Sequence, residues 1–275
     1  MEINKVYNEN CLDTMSRMPN NFIDLTVTSP PYDNLRDYNN YVFSFEEIAK
    51  ELYRITKDGG VVVWIVGDAT INGSETGTSF KQALYFKEVG FNLHDTMIWH
   101  KQSPFPSNDR YNQAFEYMFI FSKLKCKTFN PIIIQKKRKS SIVTEESKSF
   151  YTKSYRNKNG NANKLNDNGI KRLINSNYNL FKLSENIWSI PTGYMVSNTD
   201  KNSYNHPALF PDKLAEYHIL SWSNQNDLVY DPFMGSGTTA KMSIANKRNW
   251  IGSEISSEYC EIIKQRITGV QVKLF

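Results

Sequence analysis

Three cysteines in 275 residues, Cys11, Cys126 and Cys260, make an odd count with no paired spacing, which argues against a disulfide framework or a thiolate zinc site. The four histidines, His94, His100, His206 and His218, fall in no HxxxH or HxE spacing, so no metal site is expected. The pair Gly235 and Gly237 lacks the third glycine of a dinucleotide fingerprint, and no Gly-Lys-Ser/Thr follows it. Both the NAD and the phosphate-cradling readings lose ground. Long apolar runs are missing too. The longest, Val61–Val66, is far too short to span a bilayer, and the opening MEINK carries no apolar leader, so a cytoplasmic protein is expected.

What is present is enough apolar content, 40%, to fill one sizeable α/β domain with an insertion. The net charge of +5 is unevenly spread. Between Lys136 and Arg172 stand eight lysines and three arginines against Glu145, Glu146 and Asp167, a local +8 that leaves the rest of the chain at −3. A local basic patch suits a polyanion such as nucleic acid, and a solvated loop has the same composition.

The chain is organised around Leu228–Glu254. Leu228–Tyr230 is β-prone and ends on Asp231-Pro232, where proline stops the pairing. Gly235 and Gly237 allow a tight turn and close approach to a ligand, Thr238–Lys247 has helical composition, and Asn249–Ser253 reads as a second strand. That strand delivers Glu254 nineteen residues after Gly235, about where an acid meets ribose hydroxyls in nucleotide-binding βαβ units. A nucleoside cofactor without a pyrophosphate fits, and S-adenosylmethionine has that constitution.

Earlier in the chain, Ile3–Tyr7 reads as a strand, Leu12–Met18 as a short helix entered from Asn10, and Ile23–Thr28 as a strand emptying into Ser29-Pro30-Pro31-Tyr32. Two prolines fix φ and remove two N–H donors, leaving the Ser29 and Pro30 carbonyls as rigid acceptors at a strand's carboxyl end, where open α/β sheets bind ligands. Such a loop suits a substrate that donates hydrogen bonds, for example the exocyclic amine of a nucleobase. Tyr32 is then placed to stack on a base turned out of its helix. On its own the same tetrapeptide is an ordinary turn.

Together the two stretches resemble the DNA amino-methyltransferases whose catalytic motif precedes the cofactor motif. The family signature [DSN]PP[YFW] is matched by Ser29–Tyr32, and the cofactor loop DPFxGSGTT by Asp231–Thr239 without a mismatch. Leu52–Gly60, Val61–Val66, Met97–Lys101, Glu116–Lys123, Trp188–Pro191 and His206–Pro211 continue the likeness, which covers about four fifths of the chain and thins between Lys136 and Glu185.

Alternating β and α segments already give an α/β fold, a mostly parallel sheet with helices on both faces. The resemblance implies a Rossmann-like methyltransferase fold of seven strands with an antiparallel hairpin strand near one edge. It implies a catalytic set of Ser29, Pro30, Pro31 and Tyr32. It also implies that S-adenosylmethionine is held by Asp231, Phe233, Gly235, Ser236, Gly237 and Thr238, by Glu254 at the ribose, and by Asn10 and Cys11. Asn10 stands where relatives often carry aspartate near the adenine.

The chain then divides into 1–135 and 186–275, two halves of the catalytic domain, and 136–185, an inserted target-recognition region. Lys136, Lys137, Arg138 and Lys139 are the candidate phosphate contacts, and Arg36 and Arg110 are alternatives with equally good prospects as salt bridges. The implied reaction is methyl transfer to an amine in DNA. Serine at the first motif position favours cytosine N4, with adenine N6 as the alternative and an RNA methyltransferase or an inactive DNA-binding module as less favoured readings. No cysteine follows a proline, which disfavours carbon-5 chemistry. Partners compatible with the resemblance are DNA, a cognate restriction endonuclease and a second copy of the chain.

Overall fold

The computed structural model describes residues 1–31, 43–102, 110–135, 181–193 and 211–272. The chain divides into two compact units, Met1–Asn130 with Asn186–Phe275, and Pro131–Glu185.

In the larger unit a short strand β1 (Lys5–Tyr7) leads into helix α1 (Cys11–Ser16), where Asn10 is the N-cap and its side-chain oxygen accepts the Leu12 N–H. Strand β2 (Ile23–Thr28) follows, then helix α2 (Phe45–Ile55) and strand β3 (Thr56–Val66). Glu46 and Glu47 in the first turn of α2 and Arg54 in its last complement the helix dipole, and Ile48, Ala49, Leu52 and Ile55 give it one buried face. A small hairpin, β4 (Thr70–Ile71) and β5 (Ser74–Glu75), precedes helix α3 (Thr78–Val89) and the antiparallel pair β6 (Asn92–His100) and β7 (Phe115–Ser122).

The smaller unit contributes β8 (Ile133–Gln135) paired antiparallel with β9 (Phe181–Leu183). The larger unit resumes with β10 (Ile187–Ser189), helix α4 (Asp212–Trp222), β11 (Leu228–Asp231), helix α5 (Thr238–Ala245), β12 (Asn249–Ser253) and helix α6 (Ser257–Ile267).

The main sheet runs β1-β12-β11-β2-β3-β7-β6-β10, with only β7 antiparallel to its neighbours. The expected count was seven strands; the eighth is β10, three residues added outside β6. Strand β3 lies centrally because Val61–Val66 is apolar without alternation, as a strand covered on both faces must be. On one face α1, α2 and α3 pack over Tyr230, Ile251, Trp64 and Phe121. On the other, α5 and α6 close over Trp250, with Met234 and Ile263 in the same cluster. Parallel order brings the carboxyl ends of β2, β3, β6, β10, β11 and β12 to one edge. Both motifs singled out in the sequence leave the sheet there.

No helix among the described residues is long and apolar enough to cross a membrane, and no group of acids, histidines and cysteines among them could hold a metal ion.

Candidate functional site

Strands β2 and β11 are neighbours, with Leu25 opposite Val229 and Thr26 opposite Tyr230. Two residues further on, their ends are tied together. The Thr28 hydroxyl donates to Asp231 Oδ1 at 2.7 Å, joining the residue before Ser29 to the first residue of the cofactor motif, 203 positions away. Asp231 Oδ1 also accepts the Phe233 N–H at 3.0 Å, and Oδ2 accepts the Thr239 hydroxyl at 2.7 Å. Burial pushes this carboxyl up to about 6, against the lowering effect of Thr239, Thr28 and the Phe233 amide. It is ionised at neutral pH and holds three donors around the loop.

Beyond Asp231 the chain makes a turn closed by the Gly237 N–H on the Met234 carbonyl at 2.9 Å. Gly235 and Gly237 lie at φ 52° and 85°, a region where side chains are strained. A Cβ on Gly237 would also stand 2.9 Å from Ile263 Cγ1. The turn is pinned to the end of β12 by Met234 N–H on the Ser253 carbonyl at 2.9 Å, and by Gly235 N–H on Glu254 Oε2 at 2.8 Å. Glu254 Oε1 takes the Ser256 N–H at 2.8 Å. Burial raises the Glu254 carboxyl, opposed by those amides. Each of its oxygens accepts one of these amides and carries a second lone pair, the pattern needed to meet a vicinal diol.

Asn10 spends its side-chain oxygen on the α1 cap and offers an NH2 group, where an aspartate would offer only acceptors. Cys11 is buried in the core behind it. Phe233 is half-buried and packs edge-on to Phe43, with ring centroids 5.7 Å apart. The Ser236 and Thr238 hydroxyl oxygens and the Ser236 carbonyl all accept from Arg266. The nucleoside-cofactor reading thus fits the residues present: an acidic acceptor after β12 meets a glycine turn that follows an ionised carboxylate at the end of β11.

At the neighbouring strand end Ser29 is half-buried, Pro30 buried and Pro31 half-buried. Tyr32, Arg36, His206 and the basic group Lys136, Lys137, Arg138 and Lys139 lie outside the described residues. Arg110 donates to the Thr70 hydroxyl at 3.0 Å and the Gly73 carbonyl at 3.3 Å, so its guanidinium braces the β4–β5 hairpin. Two of the three thiols are held in the protonated form: burial pushes Cys260 up to about 11 and also raises Cys126. His218 is fully buried in α4.

Sequence reading missed three participants. Thr28 was visible as the hydroxyl beside Ser29, yet threonine in a strand reads as β-propensity. Gly252 looked like an interruption of β12; a Cβ there would sit 2.2 Å from Met234 Cε, so its absence lets the loop rest on the strand. Arg266 lies in a different helix and gave no local signal.

A family model for DNA methylases of the N6/N4 type matches residues 23–265. The orphan methyltransferase M.BamHII of Bacillus amyloliquefaciens is 55% identical over 246 residues, 89% of this chain and 88% of that protein. Among solved structures, the PvuII DNA methyltransferase (cytosine-N4-specific) superposes with a TM-score of 0.69 at 22% identity, over 98% of this chain and 88% of the other. A putative DNA modification methylase from Thermus thermophilus, TTHA0409, complexed with S-adenosyl-L-methionine, gives 0.61 at 20% identity, over 98% and 96%. At these identities the two structures show the shared fold.

Proposed function

The chain belongs to the N6/N4 DNA methylase family, and from that premise we propose that it methylates the exocyclic N4 amine of cytosine at a specific DNA sequence, with S-adenosylmethionine as the methyl donor. The single observation that carries the site is the Thr28–Asp231 hydrogen bond, because it joins the Ser29–Tyr32 motif to the glycine loop at one edge. The order of those motifs in the chain, catalytic before cofactor, supports membership of the permuted subgroup.

When bound, S-adenosylmethionine supplies an electrophilic methyl carbon on a cationic sulfur. Glu254 holds the ribose hydroxyls, Asn10 and Cys11 border the adenine, and Asp231, Phe233, Gly235 and Gly237 line the methionine end, with Ser236 and Thr238 shaping the turn. The Ser29 side chain and the Pro30 carbonyl accept hydrogen bonds from the two amine hydrogens of the target base. Doing so turns the nitrogen lone pair out of conjugation with the ring and toward attack. Pro31 stiffens the loop, and Tyr32 stacks on the flipped base, a contact worth about 1–3 kcal/mol.

Ser29 in place of aspartate supports cytosine over adenine. PvuII methyltransferase, described as cytosine-N4-specific, is a fold neighbour in keeping with that choice. Direct attack needs no covalent enzyme intermediate, in accord with the raised cysteine thiols.

Residues 1–135 and 186–275 form the catalytic domain in this reading, and 136–185 the recognition region, whose Lys136, Lys137, Arg138 and Lys139 contact phosphate. The separation of Pro131–Glu185 as its own compact unit supports that division. M.BamHII is described as an orphan and M.BglII of Bacillus subtilis, 27% identical, as a type II methyltransferase; a cognate endonuclease and a homodimer are further proposals for this chain.

The test is to incubate DNA with methyl-labelled cofactor, digest it to nucleosides and separate N4-methylcytosine, N6-methyladenine and 5-methylcytosine by chromatography. Label in N4-methylcytosine is expected. Label in N6-methyladenine would reassign the target base. Label in 5-methylcytosine would overturn the site chemistry, and no label in DNA would make the chain a binding module or an RNA enzyme.

A further inference from the structure

We propose that Arg266 is a positioning residue for the cofactor loop: it holds the glycine turn Met234–Gly237 in its ligand-ready shape while touching no ligand itself. The inference rests on the cofactor assignment above and adds a residue from outside both motifs.

Arg266 lies in the last turn of α6, and its side chain is 1% exposed. Nη1 donates to the Ser236 carbonyl at 2.5 Å and the Ser236 hydroxyl at 2.8 Å, with the Thr238 hydroxyl at 3.3 Å. Nη2 lies 3.4 Å from Asp212 Oδ1, and Asp212 Oδ2 pairs with Lys241 at 2.7 Å. Ile263, three residues earlier on the same helix face, is the side chain that Gly237 rests against.

The geometry of the turn explains why such a grip is needed. Glycines on both sides of Ser236 make rotation of its peptide planes cheap. The Ser236–Gly237 peptide is held at both ends, its carbonyl by Arg266 and its N–H by the Met234 carbonyl. Gly235 N–H is taken by Glu254. Without the guanidinium, the carbonyl end of that peptide loses this anchor, and the turn is held through its N–H groups, by Met234, Ser253 and Glu254. A guanidinium is costly to bury, and an apolar side chain would serve the helix interface by itself. A charge-assisted bond to a backbone carbonyl is what an apolar side chain lacks.

The experiment compares wild type, Arg266→Met and Arg266→Lys as full chains. Backbone amide exchange at Gly235–Gly237 is followed in the cofactor-free protein, S-adenosylmethionine affinity by calorimetry, and kcat and KM by methyl transfer to DNA. Arg266→Met is expected to speed exchange in the loop and weaken cofactor affinity about tenfold or more, the scale for losing a charge-assisted grip, with kcat at saturating cofactor and KM for DNA little changed. Arg266→Lys should recover part of the affinity, since one ammonium reaches the carbonyl without spanning all three oxygens.

Unchanged loop exchange and cofactor affinity in both variants would overturn the proposal, as would a fall in kcat at constant affinity. If Arg266→Met fails to fold, the lysine variant carries the same comparison. If the wild type itself binds no S-adenosylmethionine, the cofactor assignment fails, and loop exchange in the cofactor-free protein still decides whether Arg266 grips the turn.

Discussion

Two buried titratable residues pull stability in opposite directions over the same pH range. Asp231 is raised from 3.8 to about 6, so the folded state binds its proton more tightly than the unfolded state. Its contribution is fully present below pH 3.8 and lost as pH rises through 6. His218 is lowered from 6.5 to about 3 by burial. Its Nε2 lies 3.2 Å from Met118 Sδ, and its Nδ1 has no hydrogen-bond partner among the described residues. The unfolded state takes that proton first, so this contribution is present above pH 6.5 and lost as pH falls toward 3. Each slope is about 1.4 kcal/mol per pH unit where one proton separates the states, and between about pH 4 and 6 the two nearly cancel.

Single variants unmask the remaining partner. Relative to wild type, Asp231→Asn keeps acceptors for Thr28 and Phe233 and gains stability as pH rises from about 4 to 7. His218→Leu gains as pH falls from about 6.5 to 4. Chemical unfolding across about pH 4–8 measures both; parallel curves for a variant and wild type would show that its residue does not titrate differently on folding. The Asp231 titration also bears on ligand binding. If the cationic donor requires the ionised carboxylate, its dissociation constant climbs about tenfold per pH unit below about 6, which calorimetry at roughly pH 5 and 7 reads directly.

At the level of elements, the glycine turn that starts α5 separates two costs that usually occur together. Gly77 and Gly237 both have positive φ and both precede helices, α3 and α5. A Cβ on Gly77 meets nothing within 4 Å, whereas on Gly237 it meets Ile263 of α6. Gly77→Ala is therefore expected to cost about 1 kcal/mol of backbone strain, and Gly237→Ala clearly more through displacement of α6. Urea midpoints with unchanged m-values check this, and equal losses would mean that α6 yields freely.

The same elements show what the sequence could and could not disclose. β2 and β12 begin and end where their residue patterns place them, because apolar content and flanking turn residues are local properties. Helical composition continues past α5 to Lys247, two residues beyond the observed end, since Lys247 adopts φ 63°, which only the three-dimensional path to β12 requires. β1 starts two residues later than Ile3, and the strand before Val61 extends back through Gly59 and Gly60. There the chain bulges past Asp24, whose carbonyl lies 2.9 Å from where a Gly60 Cβ would be. Asp231 and Glu254 are legible in the sequence as candidate site residues because they stand at strand ends inside a motif. Arg266 and Thr28 were not, because their roles depend on which helix and which strand become neighbours.

At the scale of the whole molecule, charge separates where hydrophobicity does not. Outside Lys136–Arg172 the chain sums to −3, a net charge that by itself repels a polyanion at long range. The ion pairs of the described residues, such as Lys57–Asp24, Lys101–Glu116 and Lys241–Asp212, consume cations within that unit. If the recognition region proposed above is the DNA contact, its +8 supplies the long-range attraction.

Each phosphate neutralised releases about 0.9 counterion, so the slope of log affinity against log salt counts the contacts. Replacing Lys136, Lys137, Arg138 and Lys139 together by glutamine is expected to weaken binding to specific and random duplexes alike. It should also flatten that slope by up to about 3.6 if all four meet phosphate. Fluorescence anisotropy from about 50 to 300 mM salt, a range wide enough to resolve that change, is the measurement. A slope identical to wild type would place these four cations in solvent and shift the search for the DNA contact to the remaining basic residues between Lys148 and Arg172.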